Sequence, residues 1–286
     1  MHPRASFAIA LLSCTLVAHA AEPTRPESAQ QLVADVIYNE LHDRESDSFW
    51  QYRSVRQAGK QDIVREQVET AEGPIYRVLE DHGNPLDVAS RRREDKRIEG
   101  LIQNRAAMDR IEQEHLKDEA RLTNIMEMLP QAFLFQYEGP DEGDAVRIAF
   151  APNPAFKPES YEARVIHAMG GTLVVNQRLK RMIEMDGHVL ERVNFGYGVL
   201  GYIEKGGSFE IQRVQVSEQH WKTSLVEVHV QGKVLLFENV EKEQRESRSD
   251  FYPVPHDISL AEARTLLDEA ANGNQTAMRA KFSPVR

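Results

Sequence analysis

Apolar residues recur at helical intervals from Glu27 to Asp43, where Leu32, Val33, Val36, Ile37 and Leu41 share one face behind Ser28 as a cap. This predicts one amphipathic helix. The period then shortens to two: Phe49 to Val55, Asp62 to Thr70 and Pro74 to Leu79 read as strands of an antiparallel meander, separated by Ala58-Gly59-Lys60 and Ala71-Glu72-Gly73. Between Leu86 and Leu129 the chain is nearly free of Gly and Pro, and Ile98, Leu101, Ile102, Met108, Ile111, Leu122, Ile125, Met126 and Leu129 return to helical spacing. Two helices are predicted, broken near Gly100 to Arg105 and stopped by Pro130.

The rest of the chain is strand-like. Phe133, Phe135 and Tyr137 alternate with Leu134 and Gln136, and Val146, Ile148 and Phe150 alternate with Arg147 and Ala149. Further strands are predicted over Gly171 to Asn176, Arg181 to Met185, Val199 to Glu204, Phe209 to Val216, Leu225 to Val230 and Lys233 to Val240. Turn signals lie at Gly143-Asp144, Asp186-Gly187, Gly206-Gly207 and Gln231-Gly232. So many short strands imply one large antiparallel sheet that curls. The charged stretch Glu241 to Ser249 reads as a linker or an extension of the last strand, and a final helix from about Leu260 to Ala271 is capped by Ser259. The fold class expected is α+β: a large curved antiparallel sheet, an unclosed barrel, wrapped around or covered by helices.

The first twenty residues change the picture by adding a destination. A short basic region (His2, Arg4), an apolar run from Ala5 to Val17 and Ala18-His19-Ala20 form a secretory signal, cut before Ala21. The run is shorter than the roughly 20 residues of a spanning helix. Leu11-Leu12-Ser13-Cys14 also resembles a lipobox, which would anchor the protein by a lipid on Cys14; the apolar residues after Cys14 favour ordinary cleavage. The organisation expected is a signal over 1–20, a curved-sheet domain over 21–258 with a helical insertion at 86–129, and a helix and tail over 259–286. The location expected is the periplasm.

Cys14 is the only cysteine, so the chain after the cut offers no disulfide, thiolate ligand or cysteine nucleophile. With 45 Asp and Glu against 35 Lys and Arg the surface is acidic, which disfavours nucleic acid as a partner. The histidines beyond the signal are scattered, without an HExxH pair, and no GxSxG elbow occurs, so neither a metal nor a catalytic residue nor a cofactor is assigned. Gly196-Tyr197-Gly198-Val199-Leu200-Gly201 spells GxGxxG but leads into a strand, where phosphate binding needs a helix. Arg91-Arg92-Arg93 with Lys96 and Arg97 reads first as a solvated helix face, with anionic lipid headgroups as the sharper alternative.

The segment Met169-Gly170-Gly171-Thr172-Leu173-Val174-Val175-Asn176, with Gln177 to Glu184 after it, resembles a hairpin of the outer-membrane lipoprotein-sorting (LolA-like / LolB-like) superfamily. The order of elements around it, including the strand of Trp50-Gln51-Tyr52-Arg53-Ser54-Val55, is similar over about residues 27 to 240. In that family an unclosed barrel wraps around helices and the apolar space between them receives acyl chains. The resemblance implies a periplasmic, non-catalytic carrier or sensor of an apolar ligand or acyl chain; the chain is expected to be a monomer, with envelope proteins as further partners. The cavity would be lined by Trp50, Tyr52, Phe133, Phe135, Ile148, Phe150, Val174 and Met182, with the helices of 86–129 as its plug. An envelope-stress sensor or interaction module of the same fold, and an envelope hydrolase, stay open as other classes.

Overall fold

The computed structural model describes residues 27–42, 49–196, 201–234 and 243–273. The export signal, Cys14, the middle of the GxGxxG stretch, most of the Lys233 to Val240 strand and the C-terminal tail lie outside the described residues. The first helix, α1 (Ala29–His42), leads to a meander of β1 (Phe49–Ala58), β2 (Gln61–Val68), β3 (Ile75–Asp81) and the short β4 (Asn84–Pro85). The helical stretch is α2 (Val88–Ile102) and α3 (Arg105–Ala132), parted at Gln103 and Asn104, with Asp87 and Asn104 capping the two N-termini.

After α3 come β5 (Phe133–Pro140), β6 (Ala145–Pro152), the short α4 (Tyr161–His167), β7 (Met169–Asn176) and β8 (Arg181–Val189). Then follow β9 (Val193–Phe195), β10 (Gly201–Ile203), β11 (Ser208–Gln215), β12 (Trp221–His229), β13 (Gly232–Val234), β14 (Glu243–Val254) and α5 (Leu260–Ala271). Eleven strands form one antiparallel sheet in the order β4-β3-β2-β1-β14-β12-β11-β8-β7-β6-β5. A second, three-stranded sheet runs β13-β10-β9.

The large sheet is not closed into a barrel, since its edge strands are β4 and β5. Its curl follows from α3. One end of that helix lies over the β2–β3 turn, where Ile111 Cγ2 is 3.4 Å from the point a Cβ on Gly73 would occupy. The other end, at Met126 and Leu129, joins the core of Phe133, Ile148 and Phe150 on β5 and β6. Ile111 and Met126 are about 22 Å apart along a helix, whereas seven strand spacings from β2 to β6 measure about 33 Å on a flat sheet. The chord is shorter than the path, so the sheet bends.

Two cores result. Leu32, Val33, Val36 and Ile37 of α1 pack with α3 on Phe133, Ile148, Phe150, Leu173, Val175, Met182 and Met185, on the face shared by β5 to β8. On the opposite face at the other end, Leu260, Ala263, Leu266 and Leu267 of α5 cover Val68, Ile75 and Val254. The start of α5 is a complete capping box: Glu262 N–H donates to Ser259 Oγ and Ser259 N–H to the Glu262 carboxylate, at 2.9 Å for the second. Ser259→Ala should therefore lower stability by about 1 kcal/mol, read as a fall in the urea midpoint; no change would show that α5 is fixed by packing alone.

Four sequence expectations are corrected. The charged stretch Glu241 to Ser249 supplies, from Glu243 on, a central strand between β1 and β12, where its charges find partners: Arg245 pairs across the ladder with Glu227 on β12, and Glu246 binds Arg65 of β2 and Arg248 two residues along its own strand. Pro130 does not stop α3, which runs two residues further; a proline near a helix C-terminus removes one N–H, and the freed region is tied to α1 by Gln30 Nε2 donating to the Pro130 carbonyl at 2.6 Å. Asp186-Gly187 is inside β8, not a turn, and Gly187 is needed because Phe209 Cε1 lies 2.7 Å from where its Cβ would be. The strand expected from Leu225 begins at Trp221. The small sheet's β9 and the helix α4 carried no signal long enough to read.

Candidate ligand-binding site

The sheet face of β5 to β8 is as greasy as its alternation implies, and α1 occupies it. Phe133, Ile148 and Phe150 are 1%, 0% and 3% exposed, Met182 is buried and Phe135 is half-buried. The rings of Phe133 and Phe150 meet edge-on at 4.8 Å between centroids, and Phe135 stands 6.2 Å from Phe133. The helix filling this wall is thus α1, with only the last turns of α3 beside it; the expected plug of 86–129 lies mainly across the turns and edge of the sheet.

The eight residues expected to line one cavity fall in three places. Phe133, Phe135, Ile148, Phe150 and Met182 share the α1 core. Val174 is paired with Arg147 and Glu184 and so faces the other side of the sheet, while Leu173 and Val175 turn toward α1. Trp50 and Tyr52 lie on β1, among polar groups: the Tyr52 hydroxyl accepts from Gln67 Nε2 at 2.6 Å with Arg248 5.6 Å from its ring, and Trp50 has His220 at 5.7 Å and Lys222 at 5.6 Å. Burial raises the Tyr52 hydroxyl far above its ordinary range.

Charge fixes α1 where it lies. The fully buried Glu40 carboxylate accepts from the Met182 N–H at 3.0 Å and from Arg213, and Arg181 stands 3.7 Å away. At the outer side Lys180 bonds Glu27 at 2.8 Å and also Asp35, whose carboxyl is held below its ordinary value by the bonds from Lys180 and Gln31.

Open space lies elsewhere. A pocket of about 500 Å³ sits between β2, β3 and the elbow of α2 and α3, with Pro74, Leu101, Ala107 and Ile111 as apolar lining and Arg65, Gln67, Tyr76 and Arg97 as the polar part. The Tyr76 ring is flanked by two guanidiniums, Arg97 at 4.3 Å and Arg65 at 5.2 Å. Arg97 grips Glu94 through Nε and Nη2 at 2.8 and 2.7 Å and donates to the Tyr76 carbonyl at 2.6 Å. Arg65 donates to Glu246 at 3.2 Å and to Ser54 Oγ at 3.3 Å. Burial pushes Glu246 up, but Arg248 and Arg65 outweigh it and leave the carboxyl below its ordinary value. Both arginines are therefore held in place, with an apolar floor beside them. A second, more open depression of about 690 Å³ between α3 and α4 is lined by Met128, Phe156 and Lys157 among others.

The only sequence trace of the first pocket was the break in helical period near Gly100 to Arg105, which makes the elbow. Among the described residues no three His, Cys, Asp or Glu gather as a metal site, and no helix is long and apolar enough to cross a membrane. Gly201 opens the strand β10 and no helix follows the glycines. Comparison with protein-family models gave no match, and comparison with the curated proteins gave none.

Proposed function

We propose that this chain is a non-catalytic binding or carrier protein of the periplasm that takes a lipid, a lipidated protein or another apolar ligand. The single observation that supports it most is the pocket at the elbow of α2 and α3, where apolar walls adjoin two fixed guanidiniums around Tyr76. An apolar chain contributes about 0.8 kcal/mol per methylene removed from water, so about ten methylenes reach micromolar affinity before any headgroup contact. Arg65 and Arg97 would orient an anionic end. The resemblance of the 169–184 hairpin to the lipoprotein-sorting superfamily favours the same reading, with the ligand moved from the wall beneath α1 to the elbow.

The test is a fluorescent fatty-acid probe together with mass spectrometry of an organic extract of the purified protein. The native chain should bind the probe, and Ala107→Trp, which fills the pocket from a half-buried position on α3, should weaken binding by at least about tenfold, or 1.4 kcal/mol, with the unfolding midpoint retained. Absence of both probe binding and extracted lipid would remove the carrier reading. Probe binding that Ala107→Trp leaves unchanged would move the site away from the elbow.

A further inference from the structure

The outward face of α2 carries charges that the helix itself disfavours. Its inward side is anchored on β3: Glu94 accepts from the Val78 N–H at 2.8 Å, Arg97 donates to the Tyr76 carbonyl, and Ile98 is fully buried. This turns Val88, Arg91, Arg92, Arg93 and Lys96 outward, all of them exposed. Between the cap and the elbow that face holds four cations, Arg91, Arg92, Arg93 and Lys96, against two exposed acids, Asp87 and Glu99, in a chain of net charge −10.

Two local costs are borne to place them there. Arg92 and Lys96, and Arg93 and Arg97, are like charges four residues apart, a destabilising spacing on a helix. The three arginines also sit in the first turns, with no acid in the first turn itself, where the positive end of the helix dipole repels cations. A helix face that is merely solvated looks different, and α3 shows it: Arg105 pairs with Asp109 and His115 with Glu119, each four residues on. The acid that could neutralise Arg91 or Arg92 on α2, Asp95, is engaged with Arg77 at 2.7 Å.

We infer that the outward face of α2 docks the protein on the anionic headgroups of a lipid bilayer. The charges fit an extended surface better than a small anion, because Arg91, Arg92 and Arg93 radiate over about 200° of the helix circumference and do not converge on a point. Val88, 65% exposed at the start of the same helix, adds an apolar contact at the headgroup boundary. Each lysine or arginine at such a surface contributes roughly a fivefold factor in partition. The inference stands apart from the ligand of the elbow pocket, since it needs only the outer face of α2.

The test is co-sedimentation of the purified protein with vesicles of phosphatidylcholine alone or mixed with phosphatidylglycerol. Binding to the mixed vesicles should exceed binding to phosphatidylcholine by at least about tenfold at low salt and vanish in about 1 M salt, where charges are screened beyond about 3 Å. The combined variant Arg91→Gln, Arg92→Gln, Arg93→Gln and Lys96→Gln should lose at least about nine-tenths of that binding, while Arg105→Gln on α3 keeps it. Equal binding to the two vesicle types, or insensitivity to salt, overturns the inference on the native protein alone, whatever the folding of the variant. Full binding by a folded variant overturns it as well, and a partner protein captured without vesicle binding counts as the same negative result.

Discussion

Replacing Glu40 by alanine is expected to destabilise the protein by about 3–5 kcal/mol, the usual cost of removing one partner from a buried ion pair. Glu40 is fully buried, and its loss leaves the guanidiniums of Arg213 and Arg181, each 14% exposed, without their carboxylate. It also orphans the Met182 N–H, which has its acceptor on α1 and lies at the start of β8. Urea unfolding of the variant is the measurement, with Glu40→Gln beside it. Glutamine keeps one acceptor for Met182 and should recover part of the loss. A change below about 1 kcal/mol would show that α1 is held by its apolar face alone and that the charge cluster is incidental.

The second large effect is at Phe150. Its ring is 3% exposed between Phe133 and the sheet, and the Cζ atom lies 3.0 Å from the place of a Cβ on Gly187, so there is no slack around it. Phe150→Ala should cost about 3–5 kcal/mol through lost burial and a cavity. Phe150→Asp should cost more, because a carboxylate would be buried in the apolar cluster that also holds Leu32, Val36 and Ile148. The expected observation is loss of the cooperative unfolding transition in Phe150→Asp. A folded Phe150→Asp with weakened fatty-acid binding would instead mean that this wall opens to a guest, and the ligand site would return beneath α1.

These two predictions mark the difference between what a pattern names and what a fold assigns. The alternation of Phe133, Phe135, Ile148 and Phe150 says that a face is apolar, and the face is. Whether helix or guest covers it is not local information, because α1 (Ala29–His42) reaches it from far away in sequence. The elbow pocket is harder still to read, since Tyr76, Arg65 and Arg97 come from three elements and none looks unusual in its own segment. Val174 fails for a smaller reason: it stands between Leu173 and Val175, and the alternation of side chains along β7 sends it to the face opposite α1.

The amino-acid sequence by itself determined the local elements: the amphipathic face of α1, the three-strand meander, the two helices parted near Gly100, the capped α5 and the α+β class with its large antiparallel sheet. Each depends on periodicity or capping within about a dozen residues. Only the tertiary structure decided that a charged stretch becomes the central strand β14, that α1 and not α3 fills the greasy wall, and that the free space lies at an elbow lined by arginines. The reason is physical. Burying Glu246 or Glu40 is favourable only once Arg65 from β2, and Arg213 and Arg181 from β11 and β8, are brought to them, and that meeting is a property of the whole fold.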